Sequence, residues 1–188
     1  MATEAEHRRV GPECGRLLLR TSRAGVAAQA GHDLTLEVTR WSGDVVLAGD
    51  SAAGTVTVTA FTGSLRVLEG TGGVKPLSER DRRDIVQNAR RLLDADRRPE
   101  AEFTGTGIVT DDDGGGVVDG TLTLLGRRHP LRLRVTRLED GRYRATGTIV
   151  QSQYGVRPYT AFFGALKLAD PVAVEAEVDL PEPLGPGA

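Results

Sequence analysis

Residues 131–138, LRLRVTRL, alternate more strictly than any other stretch of the chain. Leu131, Leu133 and Val135 fall on one face, Arg132 and Arg134 on the other. Successive side chains of a strand point to opposite sides, so this stretch is a strand with one dry and one wet face. The same pattern recurs on both sides of it. LTLEVTRW (34–41) sets Leu34, Leu36 and Val38 against Thr35, Glu37 and Thr39. TVTVTAF (55–61) sets Val56 and Val58 against Thr57 and Thr59. Residues 171–180 close the series with Val172, Val174 and Val178 against Glu175, Glu177 and Asp179. Weaker runs at 16–21, 44–48, 64–68, 102–110, 117–125 and 142–153 read as strands too. They are separated by turn signals at Ser42-Gly43, GDSAAG (49–54), DDDGGG (111–116) and Asp140-Gly141.

One stretch breaks the pattern. In SERDRRDIVQNARRLLDADRRPEAEF (78–103), Ile85, Val86, Ala89, Leu92 and Leu93 recur at helical spacing. Ser78 followed by Asp81 is a capping-box variant that marks the helix start. Arg97, Arg98 and Pro99 mark its end, so the helix is expected over about 78–95. Burying that apolar face stabilises a lone helix only against a partner, here the sheet.

The expected fold is therefore all-β: an antiparallel barrel of about eight strands with one helix packed on it. Alternation alone is equally compatible with a sandwich, but a closed barrel removes exposed edges. The inward set is mostly Val, Leu, Ala and Thr, and aromatics make up only 4% of the chain. Such side chains fit either a tight, filled barrel plugged by its helix or one with room for an apolar ligand. Residues 1–15 are expected to form a flexible arm, 16–180 the single domain and 181–188 a flexible tail.

Composition bounds the function. At 188 residues one domain with a real core is the simplest reading. The net charge is -2, and no basic block is interleaved with aromatics, which argues against a nucleic-acid partner. Only Lys75 and Lys167 of the 24 basic residues are lysines. Cys14 is the lone cysteine, so no disulfide is expected. No run is long and apolar enough for a transmembrane segment, although peripheral membrane contact is compatible with the sequence. The polar N-terminus lacks the apolar centre of a secretory signal, so the cytoplasm is the expected compartment.

Motifs for chemistry are sparse. His32 and Asp33 are adjacent at a strand start, where neighbours diverge, so a structural or mouth-lining His32 is favoured over a catalytic one. Scattered histidines argue against a metal site. The acid run 111–113 lacks calcium-loop spacing, and no phosphate-cradling loop is present. Tyr154, Arg157, Tyr159, Phe162 and Phe163 cluster in one loop. They mark either a cavity mouth with hydrogen-bonding groups or packing at the barrel end.

Four stretches carry a resemblance. GHDLTLEVTRWSGDV (31–45), ADRRPEAEFTGTGIV (95–109), DGTLTLLGRRHPLRLRV (119–135) and GTIVQSQYGVRPYTAFFGALKLADPVAVEAEVDL (147–180) are similar, in order, to the YceI-like family, the last in its actinobacterial form. The resemblance implies a lipocalin-like barrel whose apolar interior holds an isoprenoid lipid such as a polyprenyl quinone, often in a homodimer. No cofactor is implied beyond such a bound lipid. The alternation nominates Leu34, Leu36, Val38, Val56, Val58, Leu122, Leu124, Leu131, Leu133, Val135, Val172, Val174 and Val178 as lining residues. Tyr154, Tyr159, Phe162, Phe163 and His32 are the mouth candidates. The expected function is non-catalytic binding, sequestration or transport of that lipid. The alternatives are a small-substrate cyclase or isomerase using His32 or Asp33 with Tyr154 or Tyr159, and a filled-barrel interaction module.

Overall fold

A computed structural model describes residues 5–47, 54–110 and 114–180, with backbone alone at 107–110 and 162. Its strands, in chain order, are β1 (Glu6–Val10), β2 (Gly15–Thr21), β3 (Arg23–Ala24), β4 (His32–Val38), β5 (Trp41–Leu47), β6 (Thr55–Phe61) and β7 (Leu65–Gly72). After helix α1 (Glu79–Leu92) come β8 (Glu100–Thr110), β9 (Gly116–Leu124), β10 (Arg127–Arg137), β11 (Tyr143–Val150), β12 (Thr160–Ala161), β13 (Leu166–Leu168) and β14 (Pro171–Val178). The expected turn at 49–53, the acid run 111–113 and the tail 181–188 lie outside the described residues.

Eleven strands make one antiparallel sheet in the order β1-β5-β6-β8-β9-β10-β11-β14-β2-β4-β7. The sheet returns on itself because β4 runs on into β5 and β6 into β7, the two forming one bent ribbon. At one side of the ribbon β6 pairs with β8, and at the other β4 pairs with β2. Across the bend the Thr39 amide donates to the Ser64 carbonyl and the Phe61 amide to the Arg40 carbonyl, each at 3.0 Å. The sequence leads to about eight strands. The larger count arises because both ribbon strands are divided at their bends and β1 adds to β5 from outside. β1 also corrects the expected arm of residues 1–15. EHRRV holds a single apolar residue, so alternation does not reveal it, yet Val10 is buried in the core.

A second, three-stranded sheet joins β12, β13 and β3 in that order, with Lys167 opposite both Thr160 and Ala24. It fastens the aromatic loop to the segment after β2.

Helix α1 starts as its sequence predicts. The Asp81 amide donates to Ser78 Oγ at 3.2 Å, and the Ser78 amide donates to Asp81 Oδ2 at 2.8 Å. The helix stops at Leu92, short of the expected residue 95, and the reason is local. Asp94 takes the left-handed conformation (φ 45°), its amide bonds the Arg91 carbonyl (3.2 Å), and the Ala95 amide bonds that of Arg90 (3.0 Å). These paired bonds are a Schellman closure, with Asp in the place usually held by Gly, and Ala95 is buried beneath it. The apolar face then packs as predicted, with Ile85, Val86, Ala89 and Leu93 against a core that includes Leu36, Trp41 and Leu65.

Candidate functional site

The barrel interior is hollow. An outer cavity of about 520 Å³ opens at the end that carries the second sheet and α1, and an inner one of about 170 Å³ lies deeper. Leu19, Leu65, Leu93, Leu124 and Ile149 line both, so the two chambers share a waist of aliphatic side chains. Leu93, the residue that caps the C-terminus of α1, is part of that waist, so the helix end bounds the tunnel.

The inner chamber is dry. Its floor includes Trp41, Phe61 and Phe103, and Thr62 is the lining residue with a side-chain hydroxyl. That hydroxyl donates to the Pro99 carbonyl at 3.1 Å, so its hydrogen is already committed within the chain. Phe103 fits because glycines give it room. A Cβ on Gly120 would come within 2.4 Å of its ring, and Gly105, paired with Gly120 across β8 and β9, lies against the same ring.

The outer chamber is mixed. Leu34, Leu36, Leu77, Ile85, Ala89, Val156, Leu166, Leu168 and Val172 form an apolar wall. Thr21, Arg23, His32, Lys75, Asp81, Asp84, Asn88, Gln151, Tyr159 and Lys167 add polar groups. Most of these are tethered. His32 Nε2 lies 2.8 Å from the Lys75 carbonyl, and since a carbonyl can only accept, that nitrogen donates. The Arg23 guanidinium donates to the Gly31 carbonyl at 2.9 Å, and the Gln151 amide to the Ala169 carbonyl at 3.0 Å. Hydrogen bonds from Ser78 hold the Asp81 carboxyl below the usual carboxylate range. Thr21 Oγ1 is the buried one without a hydrogen-bond partner among the described lining residues.

Of the residues nominated by alternation, Leu34, Leu36 and Val172 line the outer cavity. Val38, Val58, Leu122, Leu131, Leu133 and Val174 line the inner one, and Leu124 lines both. Val56 and Val135 face the barrel core without reaching either cavity, and so does Val178. Among the mouth candidates, His32 and Tyr159 line the outer cavity. Tyr154 does not: it is packed into the core against His129, ring centroids 5.1 Å apart and edge-on, and burial pushes its phenol up. Phe163 projects away from the cavity into solvent, and the Phe162 side chain lies outside the described residues. Alternation missed the α1 face, the waist residues Leu19 and Leu65, and the floor residue Phe103. Ile85, Ala89 and Leu92 were legible as an apolar stripe, but not as a cavity wall.

His32 and Asp33 do not pair with each other, and of the residues named for acid–base chemistry His32 and Tyr159 share the outer cavity. Asp33 accepts from the Arg23 amide at 2.7 Å and is not among the cavity-lining residues, while His32 is held by the Lys75 carbonyl. Among the described residues no group of three or more His, Cys, Asp or Glu side chains is placed to hold a metal ion. No helix among them is long and apolar enough to cross a membrane.

A family model described as YceI-like domain matches residues 16–180. No curated protein matches at the sequence level. Solved structures do match. BcnA of Burkholderia cenocepacia superposes with a TM-score of 0.65 at 17% identity, over 87% of this chain and 94% of that one. A polyisoprenoid-binding domain from Saccharophagus degradans gives 0.59 at 15% identity, covering 96% and 100%. A YceI protein of Campylobacter jejuni gives 0.56 at 18%, covering 78% and 84%. At these identities the likeness is one of fold.

Proposed function

This chain belongs to the YceI-like family, and on that premise we propose that it binds an isoprenoid-type lipid, such as a prenyl quinone, inside the barrel and sequesters or carries it. The observation that carries the reading is the two-chambered tunnel: a dry inner end joined through an aliphatic waist to an outer end with polar groups. A prenyl chain supplies branched hydrocarbon for the inner end, where burial contributes about 25 cal/mol per Å². A head group that hydrogen-bonds suits the outer end, where the orphaned Thr21 hydroxyl is costly until it meets a partner. The Saccharophagus relative, described as polyisoprenoid-binding, supports the same class of ligand. At about 30 Å³ per heavy atom, the share of a water molecule in the liquid, the chambers together enclose a chain on the order of 20 atoms. The proposed role is non-catalytic.

Native mass spectrometry of freshly purified protein, followed by organic extraction, tests this. A bound species whose homologues differ by isoprene units is the expected result. An apo mass that shows no uptake of added geranylgeraniol or a prenyl quinone overturns it.

A further inference from the structure

The large apolar side chains left exposed among the described residues are Val26, Val74, Tyr159 and Phe163, and all four lie at one end of the barrel. Val26 (96% exposed) sits in the segment after β3, which is fixed to the aromatic loop where the Ala27 amide donates to the Ala165 carbonyl at 2.9 Å. Val74 (83% exposed) precedes Lys75, whose carbonyl is bound by His32 at the cavity wall. Phe163 stands at the tip of the β12–β13 hairpin. Its backbone is in the left-handed region (φ 53°, ψ 33°), disfavoured for a bulky residue, and its ring is fully exposed. A strained backbone that presents an aromatic ring to water gains nothing within the chain itself.

Charge at this end leans positive, with Asp33 at the start of β4 answering Arg23 at 3.6 Å. The three rim segments, 22–31, 72–77 and 155–168, contain none of the 26 acidic residues, yet they hold Arg23, Arg157 and both lysines of the chain. Lys75, Lys167 and Arg157 are exposed and form no ion pair among the described residues. Asp81 and Asp84 of α1 line the same cavity as Lys75; Asp81 is held by Ser78 and Asp84 is 3.9 Å from Arg80. Apolar tips between free cations, with few anions in front, match a bilayer interface: the tips enter the acyl boundary while the cations meet lipid phosphates.

We propose that this rim docks the barrel mouth-down on an anionic lipid bilayer, through Phe163, Val26 and Val74 with Lys75, Lys167 and Arg157. The proposal goes beyond ligand binding and stands or falls separately from it. The occupant is a bilayer surface rather than a second copy of the chain, because two such rims face to face would oppose cation to cation.

Flotation with vesicles of phosphatidylglycerol and phosphatidylcholine, and of phosphatidylcholine alone, tests it. The protein is expected to float with the anionic vesicles, and to do so at least tenfold less at high salt. The triple variant Val26→Ser, Val74→Ser, Phe163→Gly is expected to lose at least tenfold of that binding. Glycine suits the left-handed position and the two valines are exposed, so the fold is not at stake. None of the three residues lines the cavity, so uptake of geranylgeraniol from detergent is expected to stay unchanged in the triple variant. Absence of flotation by the wild-type protein, or undiminished flotation by the variant, overturns the proposal. So does light scattering that shows a rim-dependent dimer in place of vesicle binding.

Discussion

The imidazole of His32, at the start of β4, donates through Nε2 to the backbone carbonyl of Lys75, 2.8 Å away and 43 residues further along the chain. That bond ties a barrel strand to the loop that leads into α1, and so ties one lip of the outer cavity to another. The loop is shaped for it: Gly73 is left-handed (φ 71°), and a Cβ there would come within 2.4 Å of the His32 ring.

Replacing His32 by Ala removes the tie and leaves the carbonyl to solvent. The expected cost is about 1 kcal/mol of stability. Hydrogen exchange is expected to accelerate through residues 72–77, and bound lipid to dissociate faster. Exchange mass spectrometry checks this, and unchanged protection in that loop would assign the bond no mechanical role.

Filling the inner chamber separates the two ends of the tunnel. Leu133→Trp, which intrudes among Leu131, Trp41 and Phe103, is expected to exclude the distal part of a chain while leaving the outer chamber open. In a series of prenyl alcohols, wild-type affinity is expected to rise to about four isoprene units and then level off, given roughly 20 enclosed atoms. The variant is expected to level off one or two units earlier. Isothermal titration gives both plateaus, and identical plateaus would show that the chain does not reach the inner chamber.

Gly120→Ala drives a methyl into the Phe103 ring and into the Thr104 carbonyl, 2.7 Å from the new Cβ. Overpacking of this kind costs about 1–3 kcal/mol. Thermal unfolding measures the loss. A Phe103→Leu, Gly120→Ala double variant is expected to recover part of it, since the shortened side chain vacates the space.

The capping box at Ser78 and Asp81 gives acid sensitivity a defined sign. Asp81 titrates below its ordinary value of 3.8 because Ser78 hydrogen-bonds its charged form. Its contribution is therefore fully present above that ordinary value and is lost as pH falls through the lower, folded one. Ser78→Ala is expected to cost about 1 kcal/mol at neutral pH. It should also flatten the acid limb of the stability curve, because the folded and unfolded values of Asp81 then approach each other. Urea titrations at several pH values check both expectations.

Much of the fold was legible because a barrel wall has one dry side. Leu131, Leu133 and Val135 declare their strand without any tertiary information, and Ser78 with Asp81 declares where the helix starts. The helix end was not legible, since Pro99 is a conspicuous stop signal while an Asp in the left-handed conformation leaves no mark in sequence. β1 escaped for a related reason, as four polar residues and one valine carry no period. The cavity was half legible. Alternation tells which side chains face inward, but not which inward positions meet empty space, so Val56 and Val135 look the same as Val58 and Leu133. Phe163 and Tyr154 show the other gap: the loop's aromatic content was plain, yet one ring became core and the other was put outside, a division set by backbone geometry at Gly155 (φ 76°) and Phe163 itself.

The way the ring closes also sets a schedule. β2 has β14 as one neighbour, and Arg20 pairs with Glu175, 155 residues later in the chain. During synthesis at about 5–20 residues per second, β2 waits on the order of 10–30 s before that partner exists. Over that interval the ribbon and the first half of the wall present an unfinished edge and half of an oily lining. Such long-range closure makes for slow folding. The nascent chain is thus most vulnerable before its last strand emerges, and a truncation as slight as the loss of β14 would leave the gap permanent.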